Sequence, residues 1–159
     1  MLNILKVLPL AVLITACASS FSDQAPNAMT YQEAIQQSPQ TALGKTIVVG
    51  GPIVSYTLGN HSMQIEIANS LSNKNDAPSH KGNMNERVII NIPESISPEQ
   101  LQNVRISAIG TITDIATLTR YGNSTILMIS ADQYKVWRTA KPMFDPNNKE
   151  RYGYTYKFE

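Results

Sequence analysis

The chain has 159 residues, 42% of them hydrophobic, with thirteen basic side chains against twelve acidic ones and a single cysteine. That length makes one domain of ordinary size with enough apolar residues for a packed core. Near-neutrality argues against nucleic acid as a partner, since such binding draws its affinity from phosphate neutralisation, and one cysteine leaves no internal disulfide.

Met1 to Lys6 is a short start with one basic side chain, and Val7 to Ile14 is apolar apart from Pro9. Small residues follow at Thr15 and Ala16. A charged start, a short apolar core and small residues are the layout of a secretory signal peptide over residues 1–16. The apolar run is far shorter than the roughly 20 residues of a membrane-spanning helix. Leu13, Ile14, Thr15 and Ala16, followed by Cys17, resemble a bacterial lipobox. The resemblance implies that Cys17 is thioether-linked to diacylglycerol, becomes the mature N-terminus and is N-acylated, palmitate being the usual chain. Each buried methylene contributes about 0.8 kcal/mol, so two or more chains hold a protein on a membrane. Under the bacterial sorting rule, Asp after the cysteine retains a lipoprotein in the inner membrane. Ala18 stands there instead, and implies the outer membrane; the expected place of the domain is its periplasmic face.

Residues 18–27 are mostly small and polar, and residues 17–29 read as a lipidated, flexible tether. Thr30 and Glu33 have the spacing of a capping box, which predicts a short helix from Tyr31 to Gln37 ended by Ser38-Pro39. Gly44 to Tyr56 is rich in β-branched residues but interrupted by Gly50-Gly51-Pro52. This is one long strand bent at Gly50 and Gly51, or two short strands joined by a turn. After a hairpin turn at Leu58-Gly59-Asn60, Ser62 to Ala68 alternates, with Met63, Ile65 and Ile67 on one face. The Asn-rich stretch Asn69–Glu86 has almost no large apolar residue, which predicts a long, exposed and disordered loop that tolerates shortening.

Arg87 to Ile92 is the third predicted strand, and Ser97-Pro98 starts a helix of about two turns. Val104, Ile106, Ala108, Gly110 and Ile112 form the expected inner face of a fourth strand, with Arg105, Ser107 and Ile109 turned away and a second bend at Gly110. Tyr121 to Ser124 turns the chain into a last strand region, Thr125 to Trp137. Long strands carrying internal glycines suit closure, because closure removes exposed sheet edges. The expected fold is all-β with short helices, over residues 30–137: a small five-stranded barrel of the oligonucleotide/oligosaccharide-binding (OB) type, with a small open β-sandwich as the alternative.

Residues 138–159 form a basic tail in which Tyr152, Tyr154 and Tyr156 alternate. Aromatic positions flanked by cations suit a glycan, a lipid headgroup or a partner's strand; the same pattern suits an extra strand packed on the chain's own barrel. No chemistry stands out elsewhere. His61 and His80 lack the convergent partners zinc needs. Glu66, Asp114 and Asp132 have no histidine partner, and nucleophile, phosphate-loop and dinucleotide motifs are absent. The residues thus predict no enzyme, metal or cofactor.

Taken together, the lipobox, the short helix, Gly44-Lys45 followed by Val49-Gly50-Gly51-Pro52-Ile53, the Val104 to Gly110 pattern and the strand ending Val136-Trp137 resemble the Slp family of outer-membrane lipoproteins. The chain departs from that pattern in its Asn-rich stretch. The resemblance implies a cell-envelope lipoprotein, linked to starvation or stress, with no catalytic residues. The expected partners are the membrane, through the anchor, and an envelope protein or glycan, to which the tyrosine-bearing tail points.

Overall fold

The computed structural model describes residues 21–71, 77–118, 124–139 and 151–157. Leu13, Ile14, Thr15, Ala16 and Cys17 lie outside them, as do Tyr121, Gly122 and Asn123 of the expected turn.

Six strands are present: β1 Thr46–Leu58, β2 Met63–Ala68, β3 Arg87–Ile92, β4 Val104–Leu118, β5 Ser124–Thr139 and β6 Arg151–Lys157. β1, β2 and β3 form an antiparallel meander, β4 pairs with both β1 and β5, and β3 pairs in parallel with β5. The parallel pairing closes a five-stranded barrel in the order β1-β2-β3-β5-β4, the OB-like arrangement. The expected barrel is therefore the observed one, and the open sandwich is excluded.

Alternating β-branched residues produce this closure. Ile65 pairs with Ile90, Ile90 with Ile129 and Ile129 with Ile112, so one layer of isoleucines runs through four strands. All four are essentially inaccessible. Each such side chain contributes roughly 1.5–3 kcal/mol of burial, and a register slip by one residue would expose the whole set.

β1 is one continuous strand rather than two joined by a turn. It pairs with β4 from Thr46 to Pro52 and with β2 from Ile53 to Leu58, with a bulge at Val54. One strand thus serves both halves of the barrel. An ideal Cβ on Gly51 would stand 1.9 Å from the Ala68 carbonyl oxygen, so glycine is required here by the close approach of the β2 backbone. Gly110 meets the same demand from Ser130, at a bulge where β4 and β5 change register.

The helices differ from expectation. α2 (Tyr31–Gln36) has the predicted capping box: Thr30 Oγ1 accepts from the Glu33 amide, and Glu33 accepts from the Thr30 amide at 2.7 Å. α1 (Phe21–Gln24) precedes it and α3 (Pro39–Ala42) follows it. Pro39 ends one helix and occupies the first turn of the next, where its missing amide costs nothing. Phe21 is 1% exposed, so ordered packing begins inside the stretch read as tether. The expected two-turn helix at Ser97 is one 3-10 turn, Pro98–Leu101, because Asn103 turns with φ of 53° and Val104 already opens β4.

The Asn-rich stretch corrects another expectation. Its described parts, 69–71 and 77–86, are built into the domain. The Asn69 amide donates to the Glu86 carbonyl at 2.7 Å, the Asn83 amide to the Asn69 carbonyl at 3.0 Å, and the Ser70 amide to the Gly50 carbonyl at 2.7 Å. Pro78 is buried, and Gly82 lies so close to Ala68 that a Cβ would overlap it. This segment shields the outer face of β4, which explains why Arg105 (2% exposed) and Ser107 are buried despite the alternation that turns them outward. Arg105 donates to the Pro78 carbonyl, and Trp137 Nε1 donates to Ser107 Oγ at 2.9 Å.

Candidate functional site

Two of the concave features among the described residues flank the barrel and carry polar groups. The first, of about 360 Å³, lies where the segment before α2 crosses β1 and the root of the Asn-rich stretch. Ala28, Met29, Val48 and Leu71 give it apolar walls, and Tyr31, Gln32, Asn69 and Glu86 its polar ones. Met29 is held against β1 by a bridge to Ile47, its carbonyl accepting from the Val48 amide.

Glu86 organises the polar side. Its Oε1 accepts from Gln32 Nε2 at 2.9 Å and Asn83 Nδ2 at 2.8 Å, and its Oε2 from Asn69 Nδ2 at 2.9 Å. Asn69, itself buried, uses its Oδ1 to accept the buried Gly50 amide at 3.2 Å. Four segments far apart in sequence are therefore joined through one carboxylate and one amide. Asn69→Ala leaves the Gly50 amide without its acceptor, at a cost of about 1–3 kcal/mol. An unchanged denaturation midpoint would show that this network contributes nothing.

Tyr31 is buried and donates to the Thr125 carbonyl at 2.8 Å. Burial pushes its phenol up to about 12, the Glu86 charge adds to the rise, and a hydrogen bond with the Arg87 backbone opposes it. The folded pKa lies above the ordinary 10.0, so the stabilisation from the neutral phenol is complete below that pH. It is lost as pH rises through the folded value. Tyr31→Phe should therefore flatten the alkaline limb of the stability–pH profile between those two values; an identical limb would contradict the assignment.

The second feature, of about 690 Å³, runs along β1 from Pro52 to Tyr56, where the β1–β4 ladder stops, and is bounded by His80, Leu101, Asn103 and Arg105. Tyr56 and Leu58 pair with Ile65 and Met63 of the inner face, yet are 42% and 51% exposed, because the hairpin outruns β4 there.

The residues singled out from sequence are scattered. Gly50 and Gly51 sit at the start of the β1 partner change, Gly50 touching the first cavity's network through its amide. Tyr152, Tyr154 and Tyr156 lie on β6 in register with Arg138, Val136 and Tyr134 of β5; their side chains lie outside the described part of the molecule. β6 thus extends the sheet at the β5 edge, the extra-strand reading of the tail. His61 lies in the β1–β2 turn, and no group of three or more metal-ligating side chains occurs among the described residues. Among them, too, no helix is long and apolar enough to cross a membrane. The Glu86 cavity escapes sequence reasoning, since Tyr31, Asn69 and Glu86 carry no shared spacing.

Comparison with known proteins adds the family. Neither the curated proteins nor the solved structures provide a match to this chain. The family model described as outer membrane lipoprotein Slp family matches residues 14–158, nearly the whole chain. A match over nearly the whole chain, on a closed five-stranded barrel, shows that this protein belongs to the Slp family of outer membrane lipoproteins.

Proposed function

We propose that the protein is held on the outer membrane by acyl chains on Cys17, with its barrel on the periplasmic face. There it acts as a non-catalytic structural and interaction module of the envelope, in the service of a stress or starvation response. The observation that carries the reading is the apolar leader ending in Leu13-Ile14-Thr15-Ala16-Cys17, within a chain whose family is one of outer membrane lipoproteins. The thiolate is the strongest nucleophile available for alkyl transfer. Metabolic labelling with a clickable fatty acid tests it. The wild type takes up label, and Cys17→Ser does not and stays uncleaved or leaves the membrane fraction. Undiminished label on Cys17→Ser would sink the anchor.

A second reading, a binding module for an envelope glycan, lipid or peptide, is favoured by the cavity beside Glu86. Crosslinking in intact cells and identification of the captured envelope component tests it; capture lost on filling the cavity supports this reading over the first.

A further inference from the structure

Glu86 is the only charged residue among the described residues lining the 360 Å³ cavity. The ion pair of this region, Arg87 with Glu66 at 2.5 Å, leaves Glu86 out. Three neutral side-chain amides, from Gln32, Asn69 and Asn83, hold its carboxylate instead. They fix its orientation without cancelling its charge. A carboxylate offers about four acceptor positions; three are filled here, and Oε2 keeps one. Beside it stand the apolar walls Ala28, Met29, Val48 and Leu71.

We propose that this cavity is a binding site for a primary ammonium group carried on a short apolar stem, the ammonium at Glu86 and the stem against Met29, Val48 and Leu71. The volume is that of a small-ligand pocket. A divalent metal ion fits poorly, because it needs several oxygen ligands. Here the amide nitrogens face the carboxylate, and the Asn69 side-chain oxygen Oδ1 is occupied by the Gly50 amide. An anion is repelled, and a neutral ligand leaves the charge uncompensated. An ammonium adds a charge-assisted hydrogen bond to an acceptor already aimed and partly desolvated. The proposal rests on the binding-module reading and is independent of the anchor.

The test uses the full chain, as isolated in non-ionic detergent, and three probes of equal length: n-butylammonium, 1-butanol and butyrate. Ligand-observed NMR gives the affinities at pH 7. Butylammonium is expected to bind about tenfold or more tightly than butanol, the scale of one hydrogen bond to a charged group, with butyrate weakest. Glu86→Gln brings butylammonium down to the butanol level. Ala28→Phe fills the cavity and removes binding of both while leaving the thermal melt in place. Butanol binding as tightly as butylammonium would overturn the proposal, as would undiminished ammonium binding by Ala28→Phe. Should Glu86→Gln not fold, the butanol comparison and Ala28→Phe decide between them. Absent ammonium binding with intact crosslinking to an envelope component would remove this ligand class and leave the binding-module reading standing.

Discussion

Gly51→Ala is expected to lower the unfolding free energy by about 3 kcal/mol or more, at the upper end of what overpacking costs. The reason is backbone against backbone. A methyl group at this position would lie 1.9 Å from the Ala68 carbonyl oxygen and 2.8 Å from its carbon. No rotamer relieves that, because the clashing atoms belong to the end of β2. Ala68 is pinned from the other side by Gly82, and the next residue, Asn69, is tied to Gly50 and Glu86. Gly51 does not have a left-handed backbone, so the strain is one of space alone. Relief requires β2 to move away from β1 where the strand changes partner, which opens the barrel seam. The loss is a large part of the 5–15 kcal/mol that holds an ordinary domain folded. Thr57→Val, on an exposed position of the same strand, should stay within about 0.5 kcal/mol. Denaturant melts of the chain from Ala18 onward give the comparison. Equal midpoints for the two variants would mean that the β1–β2 approach relaxes freely and that glycine is not needed at the partner change.

The second large effect concerns Arg105. It is 2% exposed and donates to the Pro78 carbonyl, joining β4 to the Asn-rich stretch. Arg105→Ala removes that link and leaves a void on the outer face of the barrel, at an expected cost of about 2–4 kcal/mol. Arg105→Met refills much of the volume without a buried charge and should cost less than alanine. The stretch should loosen in the same order. Lys81 lies in it and is exposed, so trypsin cleavage after Lys81 should be fastest in Arg105→Ala, slower in Arg105→Met and slowest in the wild type. If cleavage and melting are unchanged in both variants, the stretch is held by other contacts, and the outer face of β4 is not a second small core.

Several features of this protein are properties of short sequence windows, and these are legible in the amino-acid sequence alone. The proposed leader and Cys17 anchor are read from a charged start, an apolar run and small residues, none of which depends on folding. The Thr30–Glu33 cap spans four residues and forms as predicted. The alternation in β2 and β3 is local and places Met63, Ile65, Ile67, Val88, Ile90 and Ile92 in the core. Internal glycines in long β-branched strands point to closure, and the barrel is closed.

Other features depend on which segments meet, and no local pattern encodes that. Alternation puts Arg105 and Ser107 outside, but the outside of β4 is covered by the Asn-rich stretch and by Trp137. That stretch reads as disordered because it lacks large apolar residues. The order of its described parts comes instead from amide hydrogen bonds between Gly50, Asn69, Asn83 and Glu86, residues that lie up to 36 positions apart. The two residue ladders of β1, first to β4 and then to β2, likewise follow from the geometry of closure. The Glu86 cavity is the plainest case. Composition shows only a balanced set of charges. It takes the crossing of the α2 segment over β1 to set one carboxylate among neutral amides and apolar walls, where its charge has a use.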